Sequence, residues 1–421
     1  MKLTKNQKPK IAILTIKNSY GYGGVLTCVK QVYKFCEQYF DPTIFVLSFD
    51  KDISTSLKLL KFSSRIKKTE YFGMKCVQVG ARWAFWEPGH YIYSLNSWKK
   101  VLQGYDYFFF KSGSCIASYP LVQLNKKFVM WVGTAYEDDK SQRVKNLPVL
   151  RYLIDRLAVI KMRKIEREIF DKANLIFSIS KNTKKRIEQI LGYKRDNLLI
   201  CGYPISKKES CINDEKNIIA VGRFSDPRKN IKMLLRVFKN IYEKNPKIKL
   251  FVVGKKPSQT SLLEFSKKTF FKNIIFTGLL DQKDIEKYYQ KSSLMLITSY
   301  QEGLGIVGLE ALSYGIPVVS TDCGGTKDYV VNGENGYLVK INDVENMTQK
   351  TLKILNSAEL YKKMSKFALD FIDQNFSQEK IHSLFKVGLT RVYPELYSLF
   401  EQSKTSDKIN LLKRDSRGLE V

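Results

Sequence analysis

Histidine is almost missing from this chain: His90 and His382 are the only two in 421 residues, too few for a histidine-rich metal centre. The seven cysteines (Cys28, Cys36, Cys76, Cys115, Cys201, Cys211 and Cys323) are odd in number and scattered, with no Cys-x-x-Cys pair. That argues against a disulfide framework and structural zinc, and for a reducing, cytoplasmic compartment. No segment approaches the roughly 20 apolar residues that span a bilayer. The start, MKLTKNQKPKIAILTIKNSYGYGG, is basic, but its apolar core, Ile11 to Ile16, is short and runs into Lys17-Asn18 rather than a small-residue cleavage site. It reads as a first β-strand, not a leader. Acidic residues are scarce as well: 41 against 71 basic ones, a net charge of +30, about two thirds of it on residues 1–205. Such an excess favours phosphate-rich partners, whether nucleic acid, an anionic bilayer surface or phosphorylated substrates.

What the chain does have is regular alternation of apolar runs with helical patterns, the sign of βαβ units and parallel sheets. Strands are expected at Lys10–Ile16, Thr43–Phe49, Tyr107–Lys111, Phe128–Val132, Leu175–Ile179 and Leu198–Cys201. A second series is expected at Asn217–Val221, Lys249–Val253, Ile274–Thr277, Leu294–Thr298 and Val318–Ser320, and after Gly336-Tyr337-Leu338-Val339 the pattern is helical to about Phe400. The polar stretch Ser206–Lys216 separates the series as a linker. The length itself requires about two domains.

The most informative segment is Ser299–Gly325, SYQEGLGIVGLEALSYGIPVVSTDCGG. Glu302 and Glu310 stand eight positions apart, separated by the turn Gly303-Leu304-Gly305 and a helix start at Ile306. Unpaired N–H groups at a helix N-terminus suit a phosphate. Glu310, about one turn in, is placed to accept hydrogen bonds from two sugar hydroxyls. Gly315-Ile316-Pro317 ends the helix before the buried strand Val318-Val319-Ser320. Together these residues read as a site for a nucleotide that carries phosphates and sugar.

The segment resembles the signature of retaining glycosyltransferases of family 4, which have the GT-B fold, an α/β architecture of two Rossmann-like domains facing across a cleft. The family pattern runs Ser-x-x-Glu-Gly-Phe-Gly, Glu-Ala, Gly-x-Pro-Val-Val, Gly-Gly. Leu304 here replaces the usual aromatic, and Asp328 stands where a glutamate is common. The resemblance implies three parts: 1–205, an acceptor-side domain; 217–375, a nucleotide-sugar-binding domain; and 376–400, a helix returning to the first domain, with Ile381–Tyr397 long enough to cross; the composition of 401–421 reads as a frayed or disordered tail. It also implies that the amides of Ile306 and Val307, with Arg223 and Lys229, neutralise the leaving diphosphate. Glu302 would hold donor-sugar hydroxyls and Glu310 ribose hydroxyls. Gly23, Gly24, Gly303 and Gly305 would border the donor. No cofactor is implied and no metal.

Other features remain open between chemistry and structure. Arg223 and Lys229 follow a strand end, where open parallel sheets bind ligands, but solvated basic residues would read the same. The Tyr20–Gly24 loop aims at a helix start near Val25, without the spacing of a P-loop or dinucleotide fingerprint. The 131–139 loop lacks the histidine common in the family; Thr134 and Asp138 there are candidates for sugar contact, against loop or cap roles. Asp328 reads equally as a ligand contact or a helix-dipole residue. Ser56–Lys68 and Leu147–Ala173 are basic and amphipathic, as an anionic membrane surface or an ordinary half-buried helix would require. Trp83, Phe85, Trp86 and Tyr91 form either an acceptor wall or core. The expected protein is a cytoplasmic transferase, peripheral at the inner membrane face. It would take a nucleotide sugar and a glycan or lipid-linked acceptor, and no nucleic acid. A non-catalytic basic binding protein and a non-transferring enzyme of the same fold are the rivals.

Overall fold

The computed structural model describes residues 8–16, 24–50, 65–81, 93–136, 138, 149–209 and 215–402, with backbone only for 149–157 and 402. The first half builds an eight-stranded sheet from β1 (Lys10–Ile16), β2 (Asp41–Ser48), β3 (Ile66–Tyr71), β4 (Met74–Gly80), β5 (Tyr107–Ser112), β6 (Val129–Val132), β7 (Leu175–Ser178) and β8 (Leu198–Ile200), in the order 3-4-2-1-5-6-7-8. All neighbours are parallel except β3 and β4. The second half forms an all-parallel sheet from β9 (Ile218–Val221), β10 (Leu250–Val253), β11 (Ile274–Gly278), β12 (Leu294–Ile297), β13 (Val318–Thr321) and β14 (Gly336–Val339). Its order, 11-10-9-12-13-14, is that of the dinucleotide-binding fold, reversing direction between β9 and β12. Both sheets are covered by helices, so their central strands are continuous apolar runs. Ile11–Leu14, Phe108–Phe110 and Val129–Val132 are all buried.

Two sequence expectations need correction. The Ser56–Lys68 stretch ends in a strand: Ile66–Lys68 open β3, which pairs antiparallel with β4, while 56–64 lie outside the described residues. The last helix does not run from Ile381 through Tyr397. It spans Gln378–Val392, breaks at Tyr393-Pro394-Glu395 and resumes as Leu396–Gln402, because Pro394 has no amide to give and clashes with a helical predecessor. The 147–173 stretch holds the helix Val149–Lys172, an ordinary half-buried one where its side chains are described. Met162, Ile169 and Phe170 are buried, and Lys161, Arg163 and Lys164 are exposed. Its buried Glu166 accepts the Tyr136 amide at 2.8 Å, which fixes the loop after β6. Tyr20, Gly23 and the Trp83, Phe85, Trp86 and Tyr91 group lie outside the described residues.

The Gln378–Val392 helix docks on the first sheet through Phe385. The Phe385 ring meets those of Phe35, Phe109, Trp131 and Phe177 at 5.3, 5.5, 5.3 and 5.8 Å. Gly388 lies so close that a Cβ would come 2.3 Å from the Phe177 ring. Past the helix, the Tyr393 hydroxyl donates to Lys127 O at 2.5 Å and accepts from the Phe108 amide at 3.0 Å. Phe385→Ala is expected to lower the unfolding free energy by about 3–5 kcal/mol, as for other buried phenylalanines. Urea denaturation checks it, and a loss below about 1 kcal/mol would mean the socket does not hold the helix.

Candidate active site

Both sheets present their carboxyl ends to one cleft of about 1260 Å³. From the first domain come Ile16 and Ser112, the ends of β1 and β5, with Gly113, Gly133 and Thr134. From the second come Gly222 and Arg223 after β9, and Gln301–Val307 after β12. These are the places where each sheet's strand order reverses, where open α/β sheets bind ligands.

The β9 end continues through a short 3₁₀ turn, Pro227–Lys229, capped by Asp226, into the helix Ile231–Lys244. Thr298 at the end of β12 donates its hydroxyl to Lys229 O at 3.0 Å, so the neighbouring strand fixes where Lys229 starts. The Lys229 side chain lies along Gly222, where a Cβ would come 3.1 Å from its Cε, and its ammonium reaches Glu302 Oε1 at 2.6 Å. The Ser299 hydroxyl donates to the same oxygen at 2.6 Å, which leaves Oε2 for another donor. Burial pushes the Glu302 carboxyl up. Lys229, the Ser299 hydrogen bond and the nearby Arg228 charge outweigh burial and hold it below the ordinary carboxylate value. Arg223 is more open: its guanidinium stands 3.8 Å from Asp226 with 44% of the side chain exposed. Arg228, which the sequence reading passed over, chelates Asp226 at 2.7 Å and also lines the cleft.

Gly305 adopts φ 78°, ψ 54°, a left-handed conformation that turns the chain into the helix Ile306–Ser313. Its carbonyl is held by the Tyr329 hydroxyl at 2.9 Å. A glycine cap has no side chain to offer, so no side-chain hydrogen bond caps this helix, whose first residues, Ile306 and Val307, line the cleft. The helix Gly24–Tyr39 begins opposite, where a Cβ on Gly24 would come 3.2 Å from Ile306 Cδ1. Two helix N-termini thus face each other across the gap. Glu310, one turn in, accepts the Tyr289 hydroxyl at 2.9 Å. Burial pushes its carboxyl up to about 7, against the Tyr289 hydrogen bond and with help from Glu286.

Gly303 lies in the cleft wall, but a Cβ there would meet Gly133 O of the first domain at 2.3 Å, so its small size serves the contact between domains. Asp328 lies in a single 3₁₀ turn, Gly325–Asp328, and is a helix-dipole residue for a helix of the other domain. Its Oδ2 accepts the Lys181 amide at 2.6 Å, at the start of Lys181–Leu191. Burial raises its pKa, opposed by that hydrogen bond and the Lys181 charge. Thr134 lines the cleft, whereas Asp138 pairs with Arg186 at 3.2 Å and does not. A buried lysine escaped the sequence reading. Lys111, 1% exposed at the end of β5, places its ammonium 4.1 Å from the Trp131 ring centre. Burial lowers its pKa, opposed by Cys28 and Cys201. A lysine after Phe108-Phe109-Phe110 reads as a strand end, and its cover comes from residues distant in the chain.

Residues 204–370 match the family of glycosyl transferases group 1. N-acetyl-alpha-D-glucosaminyl L-malate synthase of Bacillus anthracis is 28% identical over 202 residues, 48% of this chain and 50% of that protein. The capsular polysaccharide biosynthesis glycosyltransferase CapM of Staphylococcus aureus is 28% identical over 187 residues, 44% of this chain and 49% of that protein. The chain spans about half the length of these curated relatives. The structure of HepE of Anabaena in complex with UDP-glucose superposes with a TM-score of 0.67 at 14% identity, covering 90% of this chain and 99% of that one. The fold is GT-B.

The Glu310 environment has a consequence for pH. The folded protein keeps the Glu310 proton up to about pH 7, whereas an ordinary carboxyl releases it near 4.5. Stability from this group is therefore full below 4.5 and lost as pH rises through 7. At pH 8 Glu310→Gln is expected to have gained on the wild type by about 3 kcal/mol relative to pH 4.5, at 1.36 kcal/mol per unit. Parallel pH–stability curves for the two proteins would refute the burial of this carboxyl.

Proposed function

We propose that the protein is a retaining glycosyltransferase that moves a sugar from a nucleotide sugar to a glycan or lipid-linked acceptor in surface polysaccharide or glycolipid assembly. The observation that carries this reading is the convergence of Glu302, Glu310, Arg223, Lys229 and the amides of Ile306 and Val307 on one cleft, at the strand reversal of a nucleotide-binding sheet. Two neighbours support the donor and pathway classes: the HepE structure was solved with UDP-glucose, and CapM is named for capsular polysaccharide biosynthesis.

In this reading Glu310 accepts the ribose hydroxyls, and its proton leaves when they bind. The diphosphate lies against the open start of Ile306–Ser313, where amides and helix dipole favour negative charge. Arg223 swings from its weak contact with Asp226 to fork the phosphate oxygens, while Lys229 adds a point charge. Glu302, kept ionised by Lys229, takes donor-sugar hydroxyls on its free oxygen and need not act as a nucleophile. The bond from the anomeric carbon to the phosphate oxygen breaks as the acceptor oxygen bonds on the same face, and the leaving phosphate takes the acceptor's proton. Preorganised positive charge is the main device of catalysis, and a bound metal is not needed.

Thermal shift with UDP-, GDP-, ADP- and CMP-sugars tests the reading. The true donor at 100 times its Kd should add about 2.7 kcal/mol, and silence from all four classes would overturn the proposal. With the donor found, Arg223→Ala and Lys229→Ala should each lower turnover roughly 10²–10³-fold, and Glu310→Ala should weaken binding by about 1.5–3 kcal/mol. Full turnover in either cation variant removes the leaving-group role. Chelation of divalent ions should leave the rate unchanged.

Peripheral attachment at the inner membrane face belongs to the same proposal. It rests on the net charge of +30 and the exposed Lys161, Arg163 and Lys164. Each basic side chain near an anionic surface adds about 1 kcal/mol, so the protein should co-sediment with anionic but not zwitterionic liposomes and be released by salt. Co-sedimentation with neither refutes the attachment.

A further inference from the structure

The acids of the cleft stand on one side only. Among the described residues its acids, Asp281, Glu286, Glu302 and Glu310, all belong to the second domain. The charged side chains that the described part of the first domain contributes are Lys30, Lys34 and Lys111, all positive. Lys111 is enclosed below the surface, but Lys30 and Lys34 are exposed on the helix Gly24–Tyr39. At 1.5 Å per residue, Lys34 stands about 15 Å along the axis from Gly24, the end that touches Ile306. Lys30, six residues along, stands about 9 Å from that end, so both cations lie along the helix beyond its contact with Ile306.

An aromatic ring stands with them. Tyr71 and Met74 pair across β3 and β4, so the hairpin turns on Phe72 and Gly73 alone. Their φ values are 53° and 76°, the type I′ turn that normally takes Asn-Gly. A phenylalanine in the left-handed region is strained, and such strain tends to be kept where a side chain has work to do. Phe72 is not an anchor of the core: it is 50% exposed, lines the cleft, and has the Lys30 ammonium 5.0 Å from its ring centre. The Tyr71 ring braces it edge-on at 4.8 Å.

We propose that Phe72, Lys30 and Lys34 form an acceptor subsite for an anionic oligosaccharide. The ring of Phe72 stacks on the C–H face of a sugar. The two ammonium groups pair with a carboxylate or phosphate that the acceptor carries. The inference rests on the glycosyltransferase reading and adds the charge of the acceptor to it. The anion has two chemical sources, an acidic sugar or the phosphate that links a glycan to its lipid.

Calorimetry on the full chain separates them with three probes: maltopentaose, pentagalacturonate, and N-acetylglucosamine linked to citronellyl diphosphate. At least one anionic probe should bind about tenfold more tightly than the neutral pentasaccharide at low salt, and Lys30→Glu with Lys34→Glu should abolish that difference. Phe72→Ala should weaken every probe that binds, and Phe72→Tyr should restore it. Lys172→Glu, a charge reversal outside the cleft, should behave as wild type. Preference for pentagalacturonate identifies an acidic glycan, and preference for the diphosphate identifies the lipid linkage. No binding by either anionic probe, equal binding of all three, or indifference to the lysine reversals overturns the subsite. Uridine, guanosine and adenosine diphosphate and cytidine monophosphate are titrated into the same samples. Their failure to bind would count against the nucleotide-sugar reading, while the subsite stands or falls on the oligosaccharides.

Discussion

The arrangement of the cleft depends on one place where three stretches of backbone touch with no side chain between them. A Cβ on Gly303 would lie 2.3 Å from Gly133 O, and one on Gly325 would lie 2.1 Å from Gly303 O. No other residue fits at these positions without moving a main chain. On the second-domain side, the Glu302 amide donates to Cys323 O at 2.7 Å and the Gly325 amide to Glu302 O at 3.0 Å, so the carboxylate next to the contact is held at both ends. On the first-domain side, the Thr134 amide donates to Gly113 O at 3.0 Å and the Thr183 hydroxyl to Gly133 O at 3.2 Å. Asp328 reinforces the same seam by capping the helix that begins at Lys181. Gly24 can approach Ile306 only because the two domains are joined here.

Glu302 and Glu310 show how environment rather than residue type sets the chemistry of this wall. They are eight positions apart and share a cleft, yet their carboxyls move in opposite directions. Both are pushed up by burial. Glu302 also has a lysine at 2.6 Å and a serine hydroxyl on the same oxygen, which more than offset the lost hydration. Glu310 has a single neutral donor, Tyr289, and an unhelpful acid, Glu286. One is therefore a fixed negative charge paired with a cation before any ligand arrives. The other is a carboxyl that burial keeps protonated up to about pH 7. The pairing with Lys229 also limits how strongly either group pulls on solvent, since removing one partner would leave a largely buried charge alone.

The strands of both sheets were legible because each central strand is buried on two faces and reads as an unbroken apolar run. The edge hairpin β3–β4 was not. Its strands, IKKTEY and MKCVQVG, alternate charge with apolar residues, as an exposed edge does, and its turn is Phe72-Gly73 rather than a recognisable Asn-Gly. That the residues after β9 and β12 come together in one cleft was readable, since glycines and carboxylates at fixed spacing survive translation into one loop and one helix. The roles of Gly303 and Asp328 in joining the domains were not, because the partners lie 170 and 147 positions away along the chain. Lys111 failed for the same reason: its cover comes from Cys28, Trp131 and Cys201, and nothing next to it in sequence announces burial. The break at Pro394 was there to be read; the apolar spacing on either side of it masked the stop.

The chain crosses between domains twice, and the crossings lie side by side. The Ile205 amide donates to Phe376 O at 2.8 Å, and Gly202 lies so close to Phe376 that a Cβ would come 2.6 Å from its ring. From there the Gln378–Val392 helix runs back over the first sheet and seats Phe385 among four rings. A single linker would fix only a distance between the two sheets; two paired crossings and a docked helix also restrict their relative rotation. That restriction is what a reaction between groups held on separate domains requires, because misplacement by about 1 Å can cost a hundredfold in rate. In the proposed reaction, donor-side charges on one sheet and acceptor-side lysines on the other make a working site only if both are held in register. The glycine seam and the returning helix together hold that register.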